Sequence, residues 1–196
     1  MNALVVVAHP APDSLTKAAA TAAVNGLERA GYVVDVLDLY EQHFTAAMSR
    51  EERLAYHTGS PLISDQTRAH AQLVTGADTI VAVYPTWWGG MPAILQGWFE
   101  RVLVPGVAFT FDERNQRVRP ALTKLRHIVG ISTYGSPSIY VRLMGDGGRR
   151  VVTRSLRMAA GWRTHTTWLA LYHVDESDDA VRAAFLERIT DAMAKH

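Results

Sequence analysis

Five short runs rich in valine, isoleucine and leucine recur along the 196-residue chain, separated by stretches whose apolar residues return every three or four positions. That alternation is the strongest constraint in the sequence. Leu4–Val7, Val33–Leu37, Thr79–Tyr84, His127–Ser132 and Thr167–Tyr172 read as strands, the first apolar without a break, as in strands covered on both faces. The segments between them read as crossovers, whose right-handedness disposes helices on both faces of one parallel sheet. No internal repeat or low-complexity linker divides the chain. We therefore expect one α/β domain over 1–196: a doubly wound five-stranded parallel sheet in the order 2-1-3-4-5.

Local signals set the boundaries. Ser14 is placed to N-cap a helix with Leu15, Ala18, Ala19, Ala22, Gly26 and Leu27 on one face, and Gly31 to end it at C′. Further helices are expected near Arg50–His57, Asp65–Val74 and 149–160, and Pro92 is expected at N1 of one carrying Leu95, Trp98, Val102 and Leu103. A helix near 178–194 should turn Val181, Phe185, Ile189 and Met193 inward. Segment 105–120 reads as a loop or hairpin inserted after the 92–104 helix.

Composition narrows the chemistry. Lys plus Arg is 20 against 19 Asp plus Glu, so the basic excess of a nucleic-acid binder is missing. With no cysteine, disulfides, thiolate nucleophiles and Cys-based metal sites are excluded, and we expect a reducing, cytoplasmic setting. The run after Met1 ends at Ala8 without a basic flank, which predicts no signal peptide, and no apolar stretch reaches the length of a membrane span. The eight histidines show neither H-E-x-x-H nor an i, i+4 pair, so no metal site is expected.

In an open parallel sheet, ligands bind beyond the carboxyl ends of the strands where the winding direction reverses, here between the first and third strands. Three loops meet that condition. His9–Ser14 runs into a helix N-terminus, where free N–H groups and the helix dipole favour a phosphate. Ser14 and Thr16 add hydroxyls and His9 an imidazole, with the charge of Asp13 offset by Lys17; alternatively Ser14 only caps and His9 is satisfied locally. Neither G-x-G-x-x-G nor G-x-x-x-x-G-K-S/T is present, which argues against a Rossmann-style dinucleotide and against ATP hydrolysis. Pro85–Met91 sets Trp87 and Trp88 beside Gly89 and Gly90, a flat wall with backbone open to a planar ligand, unless the indoles finish the core or a subunit interface. Thr133–Ser138 supplies hydroxyls and Gly135, with Tyr140 just beyond. Gly130–Gly135 approaches a G-x-S-x-G elbow, but its second glycine falls one position late.

The segment Tyr84–Val102, YPTWWGGMPAILQGWFERV, resembles the flavin-ring loop and following helix of the DT-diaphorase-like NAD(P)H:quinone oxidoreductase family, flavoenzymes of flavodoxin-like fold. Ala8–Ser14 is similar to that family's phosphate-side loop, Asp38–Tyr40 with Phe44 to the segment after its second strand, and Ser132–Ser136 with Tyr140 to the other wall of its flavin pocket. The likeness covers about residues 1–175, with gaps around 57–70. It implies a tightly bound FAD or FMN with its phosphates near His9, Ser14, Leu15 and Thr16. The ring would lie against Pro85, Thr86, Trp87, Trp88 and Gly89 on one side and Ser132, Thr133, Tyr134 and Gly135 on the other. Backbone N–H groups of 87–89 and 133–135 would face charge on the reduced ring. NAD(P)H and a quinone-like acceptor would alternate in ping-pong hydride transfer, in a homodimer with shared active sites.

Departures from the family pattern matter. Tyr140 matches the tyrosine of a proposed proton relay, but the following stretch is short and has no histidine, so Tyr140 is expected only to donate a hydrogen bond to reduced flavin. By that resemblance we expect part of the animal members' C-terminal region to have no counterpart in this sequence, so that the adenine half of FAD is held differently or is absent and FAD and FMN both stay open. Arg142, Arg149, Arg150, Arg154, Arg157 and Arg163 face a single acid, Asp146, and either meet NAD(P)H phosphates or form a solvated helix face. Two competing readings are a flavin-bearing electron carrier or regulatory subunit without its own NAD(P)H oxidation, and a flavin-free hydrolase using Ser132 or Ser136. A small carrier would be more acidic and would lack the tryptophan wall.

Overall fold

The computed structural model describes residues 1–62, 64–112 and 116–195. His196 and the 113–115 tip of the expected insertion lie outside the described residues. The strands are β1 (Asn2–Val7), β2 (Val33–Asp38), β3 (Thr79–Pro85), β4 (Phe109–Phe111), β5 (Val118–Pro120), β6 (His127–Thr133) and β7 (His165–Leu171). Five of them form one parallel sheet in the order β2-β1-β3-β6-β7. The insertion is a hairpin, with β4 and β5 pairing antiparallel apart from the main sheet. Those two strands shift the numbering; the winding is the one expected from the sequence.

The helices are α1 (Leu15–Arg29), α2 (Arg50–Ala55), α3 (Asp65–Gly76), α4 (Ala93–Val102), α5 (Ser138–Met144), α6 (Gly147–Arg150), α7 (Leu156–Ala160) and α8 (Asp179–Met193). A π-helical turn over Val151–Ser155 joins α6 to α7. Because strand side chains alternate, the core divides in two. Ala3, Val5, Val7, Val81, Val83 and Val129 pack with Ala19, Ala23 and Leu27 of α1 and with Phe185, Ile189 and Met193 of α8. Leu4, Val6, Ile80, Ala82 and Ile128 pack instead with Val74 of α3, Leu95, Trp98 and Val102 of α4, and Val152 and Leu156 of the 147–160 run. Both sets are buried, which is why the central strands read as unbroken apolar runs.

Ser14 caps α1 by accepting from the Lys17 N–H at 3.3 Å, and Gly31 follows the helix with φ +83°. Several details differ from expectation. Pro92 is the N-cap of α4 rather than N1. β7 starts two residues early, in register with β6 from His127 opposite His165. Val181 is 45% exposed, because α8 meets α1 at its far end, where the Thr190 hydroxyl donates to the Ala22 carbonyl at 3.2 Å. Most consequentially, the stretch between Ser138 and the helix expected near 149–160, for which the sequence predicted no element, holds α5 and the start of α6, separated by Gly145 at φ +89°.

Candidate active site at the carboxyl edge of the sheet

β1, β3 and β6 end side by side, with Val7 opposite Val83 and Pro85 opposite Thr133. The Ala8 N–H donates to the Val83 carbonyl at 3.0 Å and the Thr86 N–H to Thr133 at 2.8 Å, so the three loops leave one edge together.

In the first loop His9 Nδ1 lies 3.1 Å from the Ala11 N–H and 3.3 Å from the Ala11 carbonyl, so this ring nitrogen is held by the loop backbone. Thr16 is buried and Leu15 packs its side chain on the core, so Leu15 offers a ligand only its backbone N–H. Lys17 does not offset Asp13. Its ammonium pairs instead with Asp38 and, at 2.9 Å, with Glu41 beyond β2. The attraction for an anion here therefore rests on the start of α1 and on His9.

The second loop is a two-residue hairpin turn. Trp87 and Gly90 exchange N–H···O bonds of 3.0 and 2.9 Å around Trp88 at φ +49° and Gly89 at φ +69°. Positive φ at both central positions defines a type I′ turn, which suits Gly89 and costs a bulky residue such as Trp88 about 1–2 kcal/mol. Trp88 is wholly exposed and Trp87 is 62% exposed, so neither finishes the core. The Trp87 N–H is spent inside the turn, whereas those of Trp88 and Gly89 have no acceptor among the described residues.

The third loop is tied down more tightly. The Tyr134 N–H donates to Leu171 at 2.8 Å, and its buried phenol donates to Asp146 Oδ2 at 3.0 Å. Asp146, only 8% exposed, also accepts from the Arg149 N–H at 3.2 Å and so starts α6. The next two residues dock on the tryptophan turn: the Gly147 N–H donates to the Gly89 carbonyl at 2.8 Å. A Cβ on Gly148 would stand 2.7 Å from Tyr84 Oη and 3.2 Å from the Met91 nitrogen, so glycine alone fits there. The Thr86 and Ser132 hydroxyls are 2.8 Å apart. Burial, with Asp146 nearby, pushes the phenols of Tyr134 and Tyr84 far above their ordinary pKa, so both stay protonated. Tyr84 Oη is buried without a hydrogen-bond partner among the described residues.

Between these elements lies a cavity of about 200 Å³ lined by Thr86, Trp88, Gly89, Tyr134, Gly135, Ser136, Val141 and Met144. Five residues expected at the site thus come together: Thr86, Trp88, Gly89, Tyr134 and Gly135. Pro85, Ser132 and Thr133 end the strands beneath, while Trp87 and Tyr140, the latter 58% exposed on α5, stand outside the lining. His9, Ser14, Leu15 and Thr16 sit at the end of β1 and do not line this cavity. Sequence reasoning missed Tyr84, Gly147 and Gly148 and the structural part of Asp146. An aspartate ahead of two glycines was the available signal for a capped turn. Ser132 is 1% exposed and bonded to Thr86 rather than to an imidazole, which leaves it without the base a hydrolase needs.

An open parallel sheet of order 2-1-3, with its site at the switch point, defines the class. The chain belongs to the family described as flavodoxin-like fold, whose model matches residues 1–196. It is 35% identical over 156 residues to NAD(P)H dehydrogenase (quinone) 1 of Rattus norvegicus, covering 71% of this chain and 56% of that one. It is also 35% identical over 163 residues to ribosyldihydronicotinamide dehydrogenase (quinone) of Pongo abelii, covering 75% and 69%. The chain thus spans just over half the length of the rat relative. A solved NAD(P)H:quinone oxidoreductase from Methanothermobacter marburgensis superposes with a TM-score of 0.81 at 26% identity, covering all of this chain and 98% of that one.

Proposed function

We propose that the protein is a flavin-dependent NAD(P)H:quinone oxidoreductase that passes a hydride from NAD(P)H to a quinone or similar electrophile in ping-pong fashion. The observation that carries this reading is the Trp88–Gly89 turn, a strained, water-exposed aromatic wall with two unspent N–H groups at the switch point of the sheet. The names of the rat and archaeal relatives point the same way.

The donor set fits FAD or FMN. Unspent N–H groups at Trp88, Gly89 and Gly135 suit the carbonyl and nitrogen edge of a flavin ring, and the start of α1 with His9, Ser14 and Thr16 suits its phosphates. A bound flavin supplies the hydride chemistry. Thr86 and Tyr134 shape the inner wall above Pro85, and Trp88 covers one side. The N–H groups of Trp88, Gly89 and Gly135 hold negative charge that develops nearby, and Trp87 and Tyr134, whose N–H groups are spent, do not. Tyr140, exposed on α5, keeps the part of a hydrogen-bond donor to the reduced cofactor.

Ile139, Leu143, Met144, Met158 and Trp162 are all more than half exposed, an apolar surface that a homodimer would cover. No helix among the described residues is long and apolar enough to cross a membrane; a cytoplasmic location belongs to this reading. The test is an absorbance spectrum of the purified protein followed by anaerobic NADPH or NADH. Flavin bands near about 450 nm that bleach on addition are the expected outcome. Flavin that stays oxidised would indicate an electron carrier, and failure to take up FAD or FMN would overturn the reading.

A further inference from the structure

A second, larger groove of about 660 Å³ adjoins the candidate site, and its chemistry is of one sign. Arg142, Arg149, Arg150, Arg154 and Arg157 line it with Trp168. Among the described residues no carboxylate pairs with any of these five guanidinium groups, whereas Lys17, Arg68, Arg101, Arg119 and Lys124 each pair with an acid. Asp146 also borders the groove, but the Tyr134 phenol and the Arg149 N–H occupy its carboxylate. Five gathered cations against a single carboxylate leave an excess of positive charge that an anion relieves.

The backbone builds this face. The π-helical turn Val151–Ser155 continues α6 into α7, so Arg150, Arg154 and Arg157 follow at helical spacing on one face, with Arg149 beside them in the groove. Trp168 lies across β6 at Gly130, where a Cβ would sit 2.0 Å from its ring, and the Arg149 guanidinium lies 5.7 Å from a Trp168 ring centroid. Two donors of the lining, Trp168 Nε1 and Arg157 Nε, are buried with no acceptor among the described residues. Unpaired buried donors are uncommon enough to call for an explanation.

We infer that this groove binds the phosphate end of the dinucleotide hydride donor, a subsite separate from the helix start that suits the flavin phosphates. The inference rests on the NAD(P)H reading above. The two cavities share a wall one helix thick: α5 turns Val141 and Met144 to the small cavity and Arg142 to the groove. A ligand with a planar ring on one side and phosphates on the other fits that layout. Guanidinium forks match phosphate oxygens in pairs, and several forks suit a polyphosphate better than a lone carboxylate.

The test uses the flavin-loaded protein and its Arg150→Ala/Arg154→Ala double variant, with anaerobic bleaching as readout. Two donors are compared, NADPH and the phosphate-free reduced nicotinamide riboside. The half-saturating NADPH concentration should rise at least tenfold more than that of the phosphate-free donor, and its dependence on salt should weaken. Equal changes for the two donors would overturn the inference. Calorimetric titration with adenosine 2′,5′-bisphosphate separates the two readings. If neither donor bleaches the flavin but the bisphosphate binds the unmodified protein and not the variant, the groove stands and the oxidoreductase reading falls. If the bisphosphate does not bind the unmodified protein, the groove proposal fails whatever the donors do.

Discussion

Among the described residues, two buried polar networks differ: one is closed and the other is open. In the first, Arg101 Nε donates to both Glu52 oxygens at 2.9 Å and its Nη1 to the Thr45 carbonyl. Ser49 completes a capping box with Glu52 at the start of α2. Beside it, Trp98 Nε1 donates to His70 Nδ1 at 3.3 Å, and His70 Nε2 meets Gln42 Oε1 at 2.8 Å. Phe44 stacks on His70 and under Arg101, joining the halves. In the second network, Tyr134 reaches Asp146, and Tyr84 Oη is left alone beside Gly148. A satisfied network fixes a structure, whereas an incomplete one carries a cost that a ligand or water can remove. The closed network anchors the 40–56 connection to α3 and α4; the open one borders the cavity.

That contrast can be broken in order of size. Glu52→Gln leaves Arg101 buried without its carboxylate and should cost about 3–5 kcal/mol in denaturant unfolding, with the rate of flavin reduction at saturating donor retained. A matching fall in that rate would show that the two networks are not separable. Tyr134→Phe takes the donor from a buried carboxylate and should cost about 1–3 kcal/mol. Unlike the first change it should also alter the half-saturating donor concentration.

The third test is pH. Burial holds the His70 imidazole below its ordinary pKa, and burial with His165 does the same for His127. The unfolded chain therefore binds protons that the folded one refuses. Stability from this source is complete above the unfolded value of about 6.5 and is lost as pH falls below it towards the lowered folded values. A melting temperature that is flat from pH 8 to pH 5.5 would contradict this, and His70→Gln should shallow the decline. The smallest effect is expected for Tyr84→Phe, within about 0.5 kcal/mol of neutral, because the hydroxyl removed has no partner. A loss above about 1 kcal/mol would reveal a partner such as buried water.

Much of the fold was legible because the central strands are buried on both faces and their runs are uninterrupted. Ser14, Gly31 and the paired tryptophans were legible because each is a local signal. Helices α5 and α6 were not: seven and four residues carry too little periodicity, and Pro137 lies in a stretch that read as loop. Nor could spacing show that Lys17 answers Asp38 rather than Asp13, or that Tyr134 holds Asp146 twelve positions away. Such pairings are fixed by the sheet and its crossovers. Tyr84 read simply as the end of an apolar strand, and its lone hydroxyl emerges only when Gly148 is packed against it.

The type I′ turn has one more consequence, an optical one. Trp88 stands wholly in water, whereas Trp98 is sealed at 1% exposure in the core. Intrinsic emission therefore combines a long-wavelength part, from indoles such as Trp88 that relax against solvent, with a short-wavelength part that cannot. A planar molecule laid on the turn dims the first and spares the second, so occupancy of this edge can be read from the colour of the protein's own fluorescence without a label.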